Sequence, residues 1–126
     1  MLNSSGIKRA NEISQRMRIL SRLLIKLREY MKNSEISLTD AINAEYFDDI
    51  VTCTQELGGF KLQNNDGENV ASFETPSLPL KIGYSLEKCA ILLKGTSIKL
   101  KTPILKEKAS DFLEVFIQFN FIQYFL

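Results

Sequence analysis

Four carboxylates, Glu45, Asp48, Asp49 and Glu56, stand close enough in the chain to share one helix face. Such a cluster is where a Mg2+ ion or an acid/base pair would be sought. A row of acids on a helix is far more often a solvated face, and acids in a first helical turn also suit the helix dipole. No metal site is assigned to them. The two cysteines, Cys53 and Cys89, lie in helical patterns far apart and not in a CxxC arrangement, which reads as two free buried thiols of a reducing compartment, not a disulfide. The chain has no histidine, which removes Ser-His-Asp and Cys-His arrangements and most zinc sites. No phosphate-cradling glycine loop is present, and a lone Gly67 cannot make one. Tyr84 has no cationic pocket in sequence to make it a nucleophile. The expectation is a protein that is not an enzyme, with no catalytic residue, no cofactor, no metal and no small-molecule substrate.

The charge pattern carries more information. Residues 1–32 hold eight Lys/Arg and two acids, residues 33–75 one Lys and nine acids, and residues 76–126 seven Lys and four acids, giving +6, −8 and +3 and the net +1. In the first block Arg18, Arg22 and Lys26 recur every four residues, so a helix there has a basic back. A basic amphipathic helix can lie along nucleic acid phosphates or an acidic membrane surface. The same pattern also describes a core-facing seam with a solvated back, or a helix that pairs with the acidic one following it. With Lys99 and Lys101, these three residues are the candidates for phosphate contact, and no base-reading motif accompanies them.

The elements that must hold these groups are helices. Ala10, Ile13, Met17, Leu20, Leu24, Leu27 and Met31 alternate gaps of three and four, a heptad seam on a helix over 7–32 that Leu23 and Tyr30 broaden; Arg9 and Arg16 fall near the seam's edge. Self-pairing through this seam is an alternative role. Ser4 or Ser5 can cap its start. After a polar break, Ser37 to Asp40 cap a short turn over 38–42. Asn43 caps a helix over 44–57 with Phe47, Ile50, Val51, Thr54 and Leu57 inside, and Gly58–Gly59 ends it in left-handed geometry. Asn65–Asp66–Gly67 is turn chemistry, so residues 60–74 are a small hairpin or a loop.

The segment Thr75 to Leu100 organises the rest. Leu78, Ile82, Leu86, Cys89 and Leu93 draw one apolar stripe, which Ala90 and Leu92 widen. Thr75 with Pro76, or else Pro79, marks its start. Mid-helix Gly83 costs about 1 kcal/mol in propensity, which close approach of a neighbouring helix explains, with a hinge or a ligand contact as the alternatives. Turn residues from Gly95 to Lys101 end it. Thr102 and Pro103 then open a last helix with Leu105, Ala109, Phe112 and Phe116 inside and Leu113 beside them.

From Val115 the chain reads VFIQFNFIQYFL, without a charge and with five aromatics. This stretch is too short to cross a bilayer and too apolar for a solvated terminus. The break in composition reads as the point where an open reading frame leaves its proper exon, with docking on a partner or insertion at an interface as the alternatives. The domain expectation is one helical domain over 1–114 and an atypical aromatic tail over 115–126.

Thr75–Pro76–Ser77–Leu78, Leu80–Lys81–Ile82–Gly83, Ser85–Leu86 and Lys88–Cys89, with Phe47–Asp48, Leu57 and Gly59–Phe60 before them and Asp111–Phe112–Leu113 after, carry a resemblance. Over about Leu20 to Glu114 the chain resembles a helical region found upstream of a tyrosine-recombinase-like domain in transposon-derived animal proteins. The resemblance implies a helical region that assists DNA binding or assembly. Pro79 interrupts the motif, and the recombinase's catalytic set of arginines, lysine, histidine and tyrosine cannot be mapped here, so no catalytic residue is carried over.

The expected fold is therefore all-α, a compact antiparallel bundle of about four helices. The expected function is that of a non-catalytic helical module binding the DNA backbone without sequence preference, or else a protein–protein module, homodimeric through helix 7–32. The opening MLNSSGIKRANE lacks the apolar core of a signal peptide, and no run reaches the ~18 apolar residues of a membrane span. An intracellular place, nuclear or cytoplasmic, is expected.

Overall fold

The computed structural model describes the backbone of residues 4–65 and 68–125, and side chains for these except at 62–71 and 124–125. Its helices are α1 (Ser4–Met31), α2 (Leu38–Ala41), α3 (Phe47–Leu57), α4 (Ser77–Lys99) and α5 (Pro103–Gln118), with one-turn 3-10 segments at Ala44–Tyr46 and Phe121–Phe125. A single antiparallel hairpin, β1 (Phe60–Asn65) and β2 (Glu68–Phe73), stands between α3 and α4. The protein is an all-α bundle, with α4 packed against α5, α3 and α1. Among the described residues no helix is long and apolar enough to cross a membrane.

Local chemistry accounts for most boundaries. α1 stops at Lys32, which takes φ +53 while Asn33 N–H donates to Arg28 O at 3.0 Å. Arg28 Nε then donates to Ile36 O at 2.7 Å and ties the turn back on the helix. Ser37 and Asp40 form a reciprocal capping box at α2, satisfying two N–H groups that the helix leaves free. Asn43 accepts from Glu45 N–H, but what it opens is the 3-10 turn; the α-helix itself starts only at Phe47. Gly59 supplies the left-handed exit from α3 at φ +70, leading into the hairpin, where Phe60 pairs with Phe73 and their rings meet at 5.3 Å. The expected Asn65–Asp66–Gly67 turn falls on residues 66 and 67, outside the described residues.

α4 begins at Ser77 with Pro76 before it. Pro79 is then the third helical residue, where the missing N–H has no helical partner to lose. The helix does not end at Gly95 but continues to Lys99. A single glycine costs about 1 kcal/mol, and buried Ser97, whose Oγ donates to Leu93 O at 2.7 Å, lies where α4 turns into α5. At α5, Thr102 makes no side-chain cap; its Oγ1 donates to Ser97 O at 3.3 Å instead.

The core holds Leu23 and Leu27 of α1, Ile50 and Cys53 of α3, Ile82 and Leu86 of α4, and Phe112 of α5. It also holds Phe116 and Phe121, so the division at residue 114 is not a boundary in packing. α5 ends at Gln118, Asn120 takes φ +48, and the chain folds back; asparagine tolerates that geometry better than most side chains. Phe121 is thereby enclosed completely, stacked on Phe116 with ring centroids 5.0 Å apart and edge-on to Phe47 at 5.9 Å. Gly83 makes room for it: a Cβ there would lie 2.7 Å from Ile122 Cδ1 and 3.0 Å from the Phe121 ring. Gly83 is closely approached, but by this returning tail and not by the neighbouring helix that the sequence suggests.

Candidate docking groove and cationic face

The heptad seam of α1 divides in two. Leu20 and Leu27 are buried and Leu24 and Met31 half-buried, as the seam expects. Ala10, Ile13 and Met17 are exposed, Ile13 by 54% and Met17 by 64%. The reason is length. α1 is 28 residues long and α3, on which it packs, is 11, so α1 is the longer by roughly 25 Å at ~1.5 Å per residue and α3 cannot cover all of it.

α4 runs antiparallel to this part of α1, and a groove of about 580 Å³ lies between them. Ile13, Met17 and Leu20 form one wall, Cys89 and Leu92 the other, with Leu38 of α2 also lining it. Leu92 is 59% exposed; the expectation that it widens the buried stripe of α4 is corrected here, because that part of α4 faces the groove and not the core. Arg9, Arg16 and Lys88 line the rim against the single acid Glu12. The placement of Arg9 and Arg16 at the seam's edge was the one sequence signal for this rim.

The phosphate candidates separate. Arg18 and Arg22 are exposed and line a second depression of about 400 Å³ with Lys81, Thr75 and Ser77. None of these three cations makes an ion pair among the described residues. Lys26 does: its Nζ lies 3.1 Å from Glu56 on α3, and the hydrogen bond and charge of that carboxylate raise its pKa. Pairing with the acidic helix therefore takes Lys26 out of the cationic face. Lys99 and Lys101 are exposed at the far end of α4. Eighteen residues separate Lys81 from Lys99, roughly 27 Å of helix, so the five candidates do not form one surface.

The remaining groups of chemical interest sit apart. Glu45 and Asp48 are exposed and Asp49 half-buried, and no three His, Cys, Asp or Glu side chains among the described residues gather around a common metal position. Burial, and then Glu56, push the Cys53 thiol up to about 11, and burial raises Cys89 as well. Both are protonated thiols at neutral pH and poor nucleophiles. Compared with protein-family models, curated proteins and solved structures, the chain matches none.

Proposed function

We propose that the chain is a non-catalytic docking module that takes an apolar helical segment of a partner protein into the groove between α1 and α4. The observation that supports this reading is the open half of the α1 seam. Ala10, Ile13 and Met17 keep the register of the buried half, yet the α4 and α2 side chains that share the groove leave all three exposed. Covering Ile13, Met17 and Leu92 removes three large apolar side chains from water, a gain of roughly 1 kcal/mol or more apiece. The cationic rim favours a segment with acids along its flanks. It disfavours a second copy of α1, which would set Lys8, Arg9 and Arg16 against their own kind.

A library of helical peptides displayed against the full chain tests this. Apolar peptides with acidic flanks are expected to be selected by the parent and lost by an Ile13→Asp, Met17→Asp variant whose folding is unchanged. Selection of the same peptides by parent and variant would sink the reading.

A second reading, a grip on the DNA backbone without sequence preference, is favoured by Arg18, Arg22 and Lys81 around one depression, with no acid paired to them among the described residues. The resemblance to the helical region of transposon-derived proteins points the same way. Three phosphate contacts predict that log affinity for random duplex falls with log salt at a slope of about −2.7. An Arg18→Ala, Arg22→Ala variant that binds duplex as well as its parent removes this reading.

A further inference from the structure

The corner where α4 turns into α5 carries aliphatic side chains that serve no core. Ile98, Leu100 and Ile104 are 53%, 69% and 72% exposed, and none belongs to the core cluster or packs against it. Lys99, Lys101 and Lys106 are exposed among them, and Lys94 and Lys108 are half-buried on the adjoining turns. Glu107 is the only acid between residues 88 and 110.

This corner is rigidly built. Leu100 N–H donates to Thr96 O at 2.9 Å, Thr102 N–H to Ser97 O at 2.9 Å and Lys106 N–H to Thr102 O at 3.1 Å. Lys101 is held at φ +54, a left-handed geometry that disfavours a side chain. These bonds fix the directions in which the apolar and basic groups leave the backbone. Lys101, Lys106, Ile98 and Pro103 line a shallow, open depression of about 370 Å³.

The geometry points to a peripheral docking site for an anionic lipid surface, with Ile98, Leu100 and Ile104 entering the interfacial region and Lys99, Lys101 and Lys106 meeting headgroup phosphates. Charge complementarity selects the partner. Lysines near a bilayer are drawn to anionic lipid, and aliphatic side chains beside them add apolar burial in the interface. Nucleic acid would satisfy the lysines and leave three aliphatic groups facing phosphates. The depression here is shallow and open, a poor fit for an inserted protein side chain, whereas a fluid lipid surface conforms to it. The site is separate from the groove and from Arg18 and Arg22, and its lysines act without any helix crossing the membrane.

Sedimentation of the full chain with vesicles tests this, using phosphatidylcholine alone and phosphatidylcholine with phosphatidylserine at about 7:3. Binding is expected to the mixed vesicles only, weakening about fivefold for each of Lys99→Gln, Lys101→Gln and Lys106→Gln. A Leu100→Ser, Ile104→Ser variant, altered only at exposed positions, is expected to lose binding while unfolding as the parent does. Equal binding to neutral vesicles, no binding at low salt, or full binding by the serine variant would each overturn the proposal. So would random duplex DNA that binds the parent and the serine variant equally but not the lysine variants, because the lysines would then belong to nucleic acid.

Discussion

Ile13 and Phe121 are both large apolar residues near opposite ends of the chain, and they meet opposite fates. Ile13 is 54% exposed on a long regular helix, and Phe121 is completely enclosed in a single 3-10 turn. At the amino-terminal end α4, with Leu38 of α2, runs beside the apolar seam without covering it. At the carboxyl-terminal end Phe47, Phe116 and the Gly83 gap of α4 converge on one ring. Regular periodicity is thus no guarantee of burial. What encloses a side chain is the number of elements that reach it, and the fold-back at Asn120 brings three to Phe121.

The comparison breaks most directly by truncating both ends. Phe121→Ala is expected to destabilise the fold by about 3–5 kcal/mol, whereas Ile13→Ala stays within about 0.5 kcal/mol of the parent. Chemical denaturation of the two variants side by side checks this, and similar losses would mean that the two ends are equally packed. Gly83→Ala sharpens it. The added methyl meets Ile122 Cδ1 at 2.7 Å, so a loss of about 1–3 kcal/mol is expected from overpacking. An Ile122→Ala background should relieve most of that loss, and a strictly additive double variant would show that the tail does not rest on Gly83.

A smaller effect concerns α2, whose Leu38 lines the groove. The backbone and side-chain hydrogen bonds from Ser37 lower the pKa of Asp40. A carboxyl depressed in the folded state contributes stability that is complete above the ordinary aspartate value and lost as pH falls through the depressed one. Asp40→Asn should therefore flatten the acid side of the stability profile and leave the alkaline side alone, which thermal melts across pH would register. The smallest effect belongs to Lys26 and Glu56, which pin α1 to α3. Their coupling in a double-mutant cycle should be weak and should fade at about 1 M salt. Coupling that persists there would show a pair more shielded than its half-exposed side chains imply.

The longer helices were legible because each carries a periodic stripe, and local punctuation marks several ends: Ser37 with Asp40, Gly58–Gly59, Thr102–Pro103. Asn–Asp–Gly permits a turn without requiring the strands to pair, so the sequence does not distinguish the hairpin from a loop. Two local rules misled. Gly95 reads as a stop, but one glycine cannot outweigh the continuous backbone bonding and packing of α4 up to Ser97. The charge-free tail reads as foreign to the domain, because residue composition says nothing about a fold-back. Of the candidate site, the basic back of α1 was visible by spacing, but the withdrawal of Lys26 by Glu56 and the separation of Lys99 and Lys101 depend on where α3 and α4 lie.

Sequence alone determined the helical class, the positions of the main elements and the residues able to face a core, since period and capping act within a few residues. Only tertiary structure decided which half of the α1 seam is covered, that Gly83 receives Phe121 and Ile122, and which cations stay unpaired. Those outcomes depend on helix length against partner length and on where the chain reverses, and neither is a property of any local stretch.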